Sequence, residues 1–136
     1  MKITWLGHAA FRLDSAKASI LIDPFLTHNP GFAGLDRKDM TKGITHILLT
    51  HAHGDHASDA ARLAKKLGIK VHCIHEVSEW LYGQGCESVG FGKGGTLLLN
   101  GAKVTMVHAV HSASPSVSIP TMSTFSEVMQ PSFGAP

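Results

Sequence analysis

The chain has 136 residues, 43% of them hydrophobic and 16% charged, with a formal charge of +2. It is long enough for one domain with a packed core and too short for two, which excludes wholesale disorder. The small charge and the lack of a Lys/Arg cluster argue against a nucleic-acid surface, no apolar run reaches the length of a membrane span, and residues 1–8 show no signal-peptide pattern, so a cytoplasmic protein is expected.

Residues 2–6 and 9–13 alternate as two short strands joined at Gly7 and His8. Residues 19–23 form an apolar run that stops at Pro24, the pattern of a buried strand. Residues 27–43 hold Pro30, Gly31, Gly34 and Gly43 without a clean period and read as a long surface loop, a kind that often carries function. Residues 46–50 make another apolar strand. From Ser58 to Leu67 the apolar positions Ala60, Ala61, Leu63, Ala64 and Leu67 share one helical side, with Ser58 or Asp59 as cap and Gly68 as stop. A strand over 70–74, a short helix over 76–82 and three strands over 87–91, 96–99 and 103–108 follow. Asn100 and Gly101 give the last pair a strong hairpin turn. From Ser112 onward the chain is rich in Ser and Pro with Glu127 as its single charge. Residues 115–136 are therefore expected to be an irregular tail, leaving residues 1–114 as the folded unit. Cys73 and Cys86 are too few and too widely spaced for a disulfide framework or a zinc knuckle, and read as small apolar residues.

The ten histidines are the unusual feature, and their arrangement gives them meaning. His51-Ala52-His53-Gly54-Asp55-His56 follows a buried strand and precedes a helix. With this composition, His-x-His-x-Asp-His is expected by chance on the order of 10⁻³ times per chain, so a fortuitous match is a poor explanation. In extended chain, residues two apart point to the same side, so His51 and His53 can grip one ion together. Gly54 permits a tight turn that swings Asp55 and His56 toward a second ion. Neutral imidazole suits Zn²⁺ and similar ions, and a carboxylate adds a harder oxygen ligand.

The run resembles the signature of the metallo-β-lactamase superfamily, and within it the metal-dependent hydrolases related to ascorbate-phosphate lactonases. Supporting stretches are Thr4-Trp5-Leu6-Gly7-His8-Ala9-Ala10-Phe11, Ile20-Leu21-Ile22-Asp23-Pro24-Phe25-Leu26 and Ala109-Val110-His111-Ser112. The resemblance implies an α/β domain of α+β type: the N-terminal half of an αββα sandwich, with a mixed sheet and helices on one face. It implies that His51, His53 and His111 hold a first metal and that Asp55 and His56 contribute to a second. Asp55 would also orient the nucleophile, the one catalytic role assigned. Asp23 would orient a ligand or the motif loop from behind, and His8 would lie near the site in a structural hydrogen bond or in contact with substrate. The implied cofactor is a divalent metal, zinc first with manganese or iron as alternatives. The implied reaction is attack of metal-bound hydroxide on an ester, lactone or phosphoester of a small molecule. His28, His46, His72, His75 and His108 match no ligand position, with His108, three residues before His111, as the alternative to His111.

The chain departs from that family in one respect. No Asp or His follows His111, so the bridging Asp and further His that the family draws from its second half are missing. Three expectations follow. One metal site is well held and the second weak. One sheet face stays apolar and open, to be covered by the missing C-terminal half or by a homodimer partner. The alternative to a hydrolase is a truncated, non-catalytic fragment, or a metal-binding or oligomerising module without turnover.

Overall fold

Hairpin turns close the first three strands into a meander. In the computed structural model, which describes residues 1–111, strand β1 (Lys2–Trp5) pairs antiparallel with β2 (Phe11–Asp14), and β2 with β3 (Ser19–Ile22). Strands β4 (His46–Leu48), β5 (Val71–Ile74) and β6 (Ser88–Phe91) then add in parallel, giving one mixed six-stranded sheet in the order β1-β2-β3-β4-β5-β6. Parallel neighbours need crossovers, and the helices supply them. Helix α1 (Arg37–Thr41) lies between β3 and β4, α2 (Gly54–Ala57) and α3 (Ala60–Leu67) between β4 and β5, and α4 (His75–Gly83) between β5 and β6. Strands β7 (Thr96–Leu99) and β8 (Ala102–Thr105) form a separate hairpin. Its turn puts Asn100 and Gly101 at φ 44° and 86°, as a tight two-residue hairpin turn requires. The α/β architecture with a mixed sheet is as expected. The expected tail lies outside the described residues. No helix among the described residues is long and apolar enough to cross a membrane.

Three local expectations need correction. The segment 27–43 is not all loop: it contains a 3₁₀ turn at Pro30–Phe32 and then α1, whose first turn is capped by the Asp36 carboxylate accepting from the Asp39 amide at 3.0 Å. Five residues are too few to show a helical period. At the start of α3 neither Ser58 nor Asp59 makes a side-chain cap; Asp59 stands at the cap position with its carboxylate turned elsewhere. The last strand ends at Thr105, so His111 sits beyond it in a bend.

Register explains the core. Leu21, Ile47 and Val71 are neighbours across β3, β4 and β5, and all three are fully buried. They join Ala57, Leu63, Ala64, Val77 and Leu81 from α2, α3 and α4 in one cluster. Each fully buried aliphatic side chain contributes about 1.5–3 kcal/mol. Gly68 ends α3 at φ 64° and donates its amide to the Ala64 carbonyl, the left-handed stop the sequence predicts.

The opposite face of the sheet carries Ile3, Trp5, Phe11, Leu13, Ile20, Ile22, His46, Leu48 and His72 by the same register. Near its β2–β4 part a cavity of about 310 Å³ separates Leu13, Ile20 and Leu48 from Ala102 and Val104 of the β7–β8 hairpin. At its edge Ile3 and Trp5 remain 60% and 58% exposed.

His72 on this face is buried, and neither ring nitrogen has a hydrogen-bond partner among the described residues. Its nearest aromatic neighbour is His46, with ring centroids 5.4 Å apart. Burial, helped by His46 and Lys70, pushes the His72 imidazole down from 6.5 to about 4. A folded-state value below the unfolded one means that the unfolded chain binds the extra proton first. The associated stability is complete above pH 6.5 and is lost as pH falls toward 4. At about 1.4 kcal/mol per pH unit this amounts to ~3 kcal/mol. Urea unfolding of the metal-free chain from pH 7 to 4 is expected to show that loss, and His72→Leu to remove most of it. An unchanged slope in the variant would mean that His72 is not the titrating group.

Candidate metal centre

Strand β4 ends at Leu48, the chain bends at Thr50, and His53 is extended (φ −62°, ψ 148°) before Gly54 opens α2. The two-residue alternation expected here is visible in burial: Ala52 points into the core, 1% exposed, while His51 and His53 are half-buried on the other side. Asp55 and His56 ride on a four-residue helix where the sequence predicts a turn.

His51, His53 and His111 converge. Their ring centroids lie 4.6 Å, 4.7 Å and 5.0 Å apart in pairs, and one ligand nitrogen from each falls within 4.8 Å of the others. His51 Nε2 and His53 Nδ1 face each other at 3.1 Å. Imidazole nitrogens bound to tetrahedral zinc at about 2.0–2.1 Å stand roughly 3.3–3.4 Å apart, so this pair already has nearly the spacing of two ligands on one ion.

Hydrogen bonds behind the rings set which nitrogens are available. Asp23 is buried, in the left-handed region at φ 44°, and accepts from the Thr50 amide at 2.8 Å and from the Thr50 hydroxyl at 2.6 Å. With that hydroxyl proton committed to Asp23, Thr50 Oγ1 can only accept from His51 Nδ1, 2.9 Å away. His51 Nε2 is then left unprotonated, the form a metal needs. Asp23 also accepts from His56 Nδ1 at 2.9 Å, which leaves His56 Nε2 as its ligand atom. Burial first, then the His56 and His53 imidazoles, push the His51 ring down from its ordinary value and keep it neutral at pH 7.

A second set stands beside the first. Ligand atoms of His8, Asp55 and His56 lie within 4.8 Å of one another, and His8 Nε2 is 3.0 Å from the Asp55 carboxylate. Slight burial pushes the Asp55 carboxyl up, but its own backbone amide and the His56 and His8 imidazoles outweigh this and hold it below the usual range. The seven residues expected at the site therefore meet around one surface. Thr50 is the member that sequence reasoning misses; its position directly before His51 is the available signal.

The loop that bears Asp23 is itself anchored. Asp59, 1% exposed, accepts from the Leu26 and Thr27 amides at 2.7 Å and 2.6 Å and from the Thr27 hydroxyl at 2.8 Å, and pairs with Arg37 and Arg62. A cavity of about 360 Å³ adjoins the first set. His51 and His111 are at one wall, with Ile74, Met106 and Val107 around it and the ammonium of Lys93 among the described residues that line it.

The model of the metallo-beta-lactamase superfamily matches residues 3–116. The chain belongs to this superfamily. Among curated relatives, a UPF0173 metal-dependent hydrolase from Cereibacter sphaeroides is 50% identical over 115 residues, covering 84% of this chain and 50% of the relative. One from Brucella ovis is 52% identical, covering 84% and 48%. The chain thus spans about half the length of the curated superfamily members it matches. Among solved structures, the metallo hydrolase Igni18 from Ignicoccus hospitalis superposes with a TM-score of 0.73 at 32% identity, covering 82% of this chain and 49% of that one.

Proposed function

We propose that this chain is the metal-binding part of a metal-dependent hydrolase, with His51, His53 and His111 holding a zinc ion, or manganese or iron in its place. The convergence of three imidazoles, with the His51 tautomer fixed through Thr50 and Asp23, carries the reading. An ion held by these three imidazoles would supply a Lewis acid that makes water nucleophilic near neutral pH. The chain's own groups do the rest. Asp55 is ionised at neutral pH and accepts a hydrogen bond that orients the attacking water. Asp23 and Thr50 hold the rings in place. The apolar walls of the adjoining cavity exclude solvent from the body of a small ester, lactone or phosphoester, and Lys93 favours one with an anionic group.

The second reading is a binding or assembly module without turnover. It is favoured by the exposure of Ile3 and Trp5 on the open sheet face. On either reading that face is covered by a C-terminal half or a second copy, and residues 1–114 act as a partial domain. Elemental analysis of the purified chain, together with hydrolysis assays on an ester, lactone and phosphoester panel, separates the two. A bound transition metal with turnover that His51→Ala abolishes is the result expected for the hydrolase. Metal uptake without turnover of any substrate supports a metal-binding module, a metal-free chain that self-associates supports an assembly module and defeats the hydrolase, and a metal-free monomer defeats both.

A further inference from the structure

The family resemblance implies two protein ligands for the second ion, Asp55 and His56, and leaves His8 outside the ligand set. We propose that His8 is the third ligand of a second metal ion, held with Asp55 and His56 entirely by residues of the described chain. The inference rests on reading the neighbouring His51, His53 and His111 set as a metal centre.

Four observations carry it. First, the ligand atoms of His8, Asp55 and His56 lie within 4.8 Å of one another, a spacing that one ion can span. The mix of two imidazoles and a carboxylate is a donor set suited to zinc. Second, His56 is already oriented as a ligand. Asp23 takes its Nδ1 proton, so Nε2 is the free lone pair, and the His8 and His56 rings meet edge to face at 5.2 Å. Third, His8 occupies the left-handed region at φ 51°, which is uncommon for any residue but glycine, although His enters it more readily than most, as Asn and Asp do. Backbone held in this way concentrates at functional sites. Fourth, the turn that imposes this conformation is firmly built. Gly7, at φ 92°, lies so close to Gly31 that a Cβ on Gly7 would sit 2.5 Å from the Gly31 carbonyl carbon. Asn29 ties the two segments together, donating to the Leu6 and Phe25 carbonyls and accepting from the Gly31 amide, and Trp5 Nε1 donates to the His8 carbonyl at 2.9 Å.

A plain surface ion pair between His8 and Asp55 would need none of this construction. Half-exposed pairs of that kind contribute little to stability. A histidine presented on a rigid, strained turn toward a carboxylate and a second, pre-oriented imidazole is the arrangement of a ligand. Because Asp55 and His8 are both solvent-facing, this ion binds more weakly than the first.

The test is zinc stoichiometry of the full chain by equilibrium dialysis and elemental analysis, with cobalt(II) absorption as a second readout. The wild type is expected to take up one tight equivalent and a second, weaker one. The informative variant is His8→Asn. Asparagine tolerates a positive φ and can still donate a hydrogen bond to Asp55, but it lacks the imidazole nitrogen. If His8 is a ligand, His8→Asn keeps the first equivalent and weakens the second by more than ~100-fold, beyond what groups one step removed from a metal cause. Retention of two equivalents in His8→Asn, or a single equivalent in the saturated wild type, overturns the assignment of His8 and leaves the first site intact. A wild-type chain that binds no zinc overturns both.

Discussion

Replacing His111 with alanine is expected to lower affinity for the tight metal by more than ~100-fold, with almost no change in the stability of the metal-free chain. His111 is exposed and lies beyond the last strand, so its loss removes no core contact. Surface changes of that kind stay within about 0.5 kcal/mol. Its ring is nevertheless 4.7 Å and 5.0 Å from those of His51 and His53, and it is the only ligand of that set delivered from outside the loop after β4. Removing it leaves two imidazoles, too few to compete with water for a transition metal. Asp23→Asn offers a graded comparison. It weakens the bonds that set the His51 and His56 tautomers without deleting a ligand, and should cost about 10–100-fold in affinity. Dialysis against buffered zinc measures both. Unaltered affinity in His111→Ala would remove His111 from the centre.

Asp59→Ala is expected to destabilise the fold by roughly 3–5 kcal/mol, the range for breaking a buried, hydrogen-bonded charge pair. Three contributions lead there. The Leu26 and Thr27 amides lose their acceptor, at about 1–3 kcal/mol for an amide left unsatisfied in the interior. The Thr27 hydroxyl loses its partner. Arg37 and Arg62 lose their counter-charge, a smaller penalty because Arg62 is half-exposed and can hydrate. These hydrogen bonds and guanidinium groups outweigh burial and hold the Asp59 carboxyl far below the usual range. The sign is the ordinary one for a carboxylate: the stability is present above about pH 4 and is lost as pH falls below it. That window lies below the one assigned to His72, so urea unfolding at two pH values separates the two. A loss under 1 kcal/mol in Asp59→Ala would show that water replaces the carboxylate adequately.

Much of this molecule is legible in its sequence, for identifiable reasons. Residues 19–23 and 46–50 read as strands because each holds three consecutive apolar residues that are buried or half-buried, 20–22 and 47–49, and α3 reads as a helix because only one side of it is buried. The metal motif is legible because alternation sends Ala52 inward and its two histidine neighbours outward. Elements too short to repeat their period are not: α1 and α2 span five and four residues, less than two helical turns, and show no recurring pattern. Asp59 resembles a helix cap because cap preference is a local rule, whereas its carboxylate answers to amides more than thirty residues away. Thr50 and the meeting of His8 with Asp55 depend on contacts across the sheet end, which no spacing along the chain encodes.

The hairpin of β7 and β8 shares no strand pairing with the main sheet, yet the segment leaving it ends at His111. An ion gripped there and at His51 and His53 would act as a rivet between two otherwise separate sheets. Unlike a disulfide, it would be released on unfolding, so it would stabilise through binding and not by restricting the unfolded chain. Because it binds the folded form selectively, its grip would rise with free metal concentration. The same ion that serves chemistry would then also decide how firmly the last strands of the described chain stay docked.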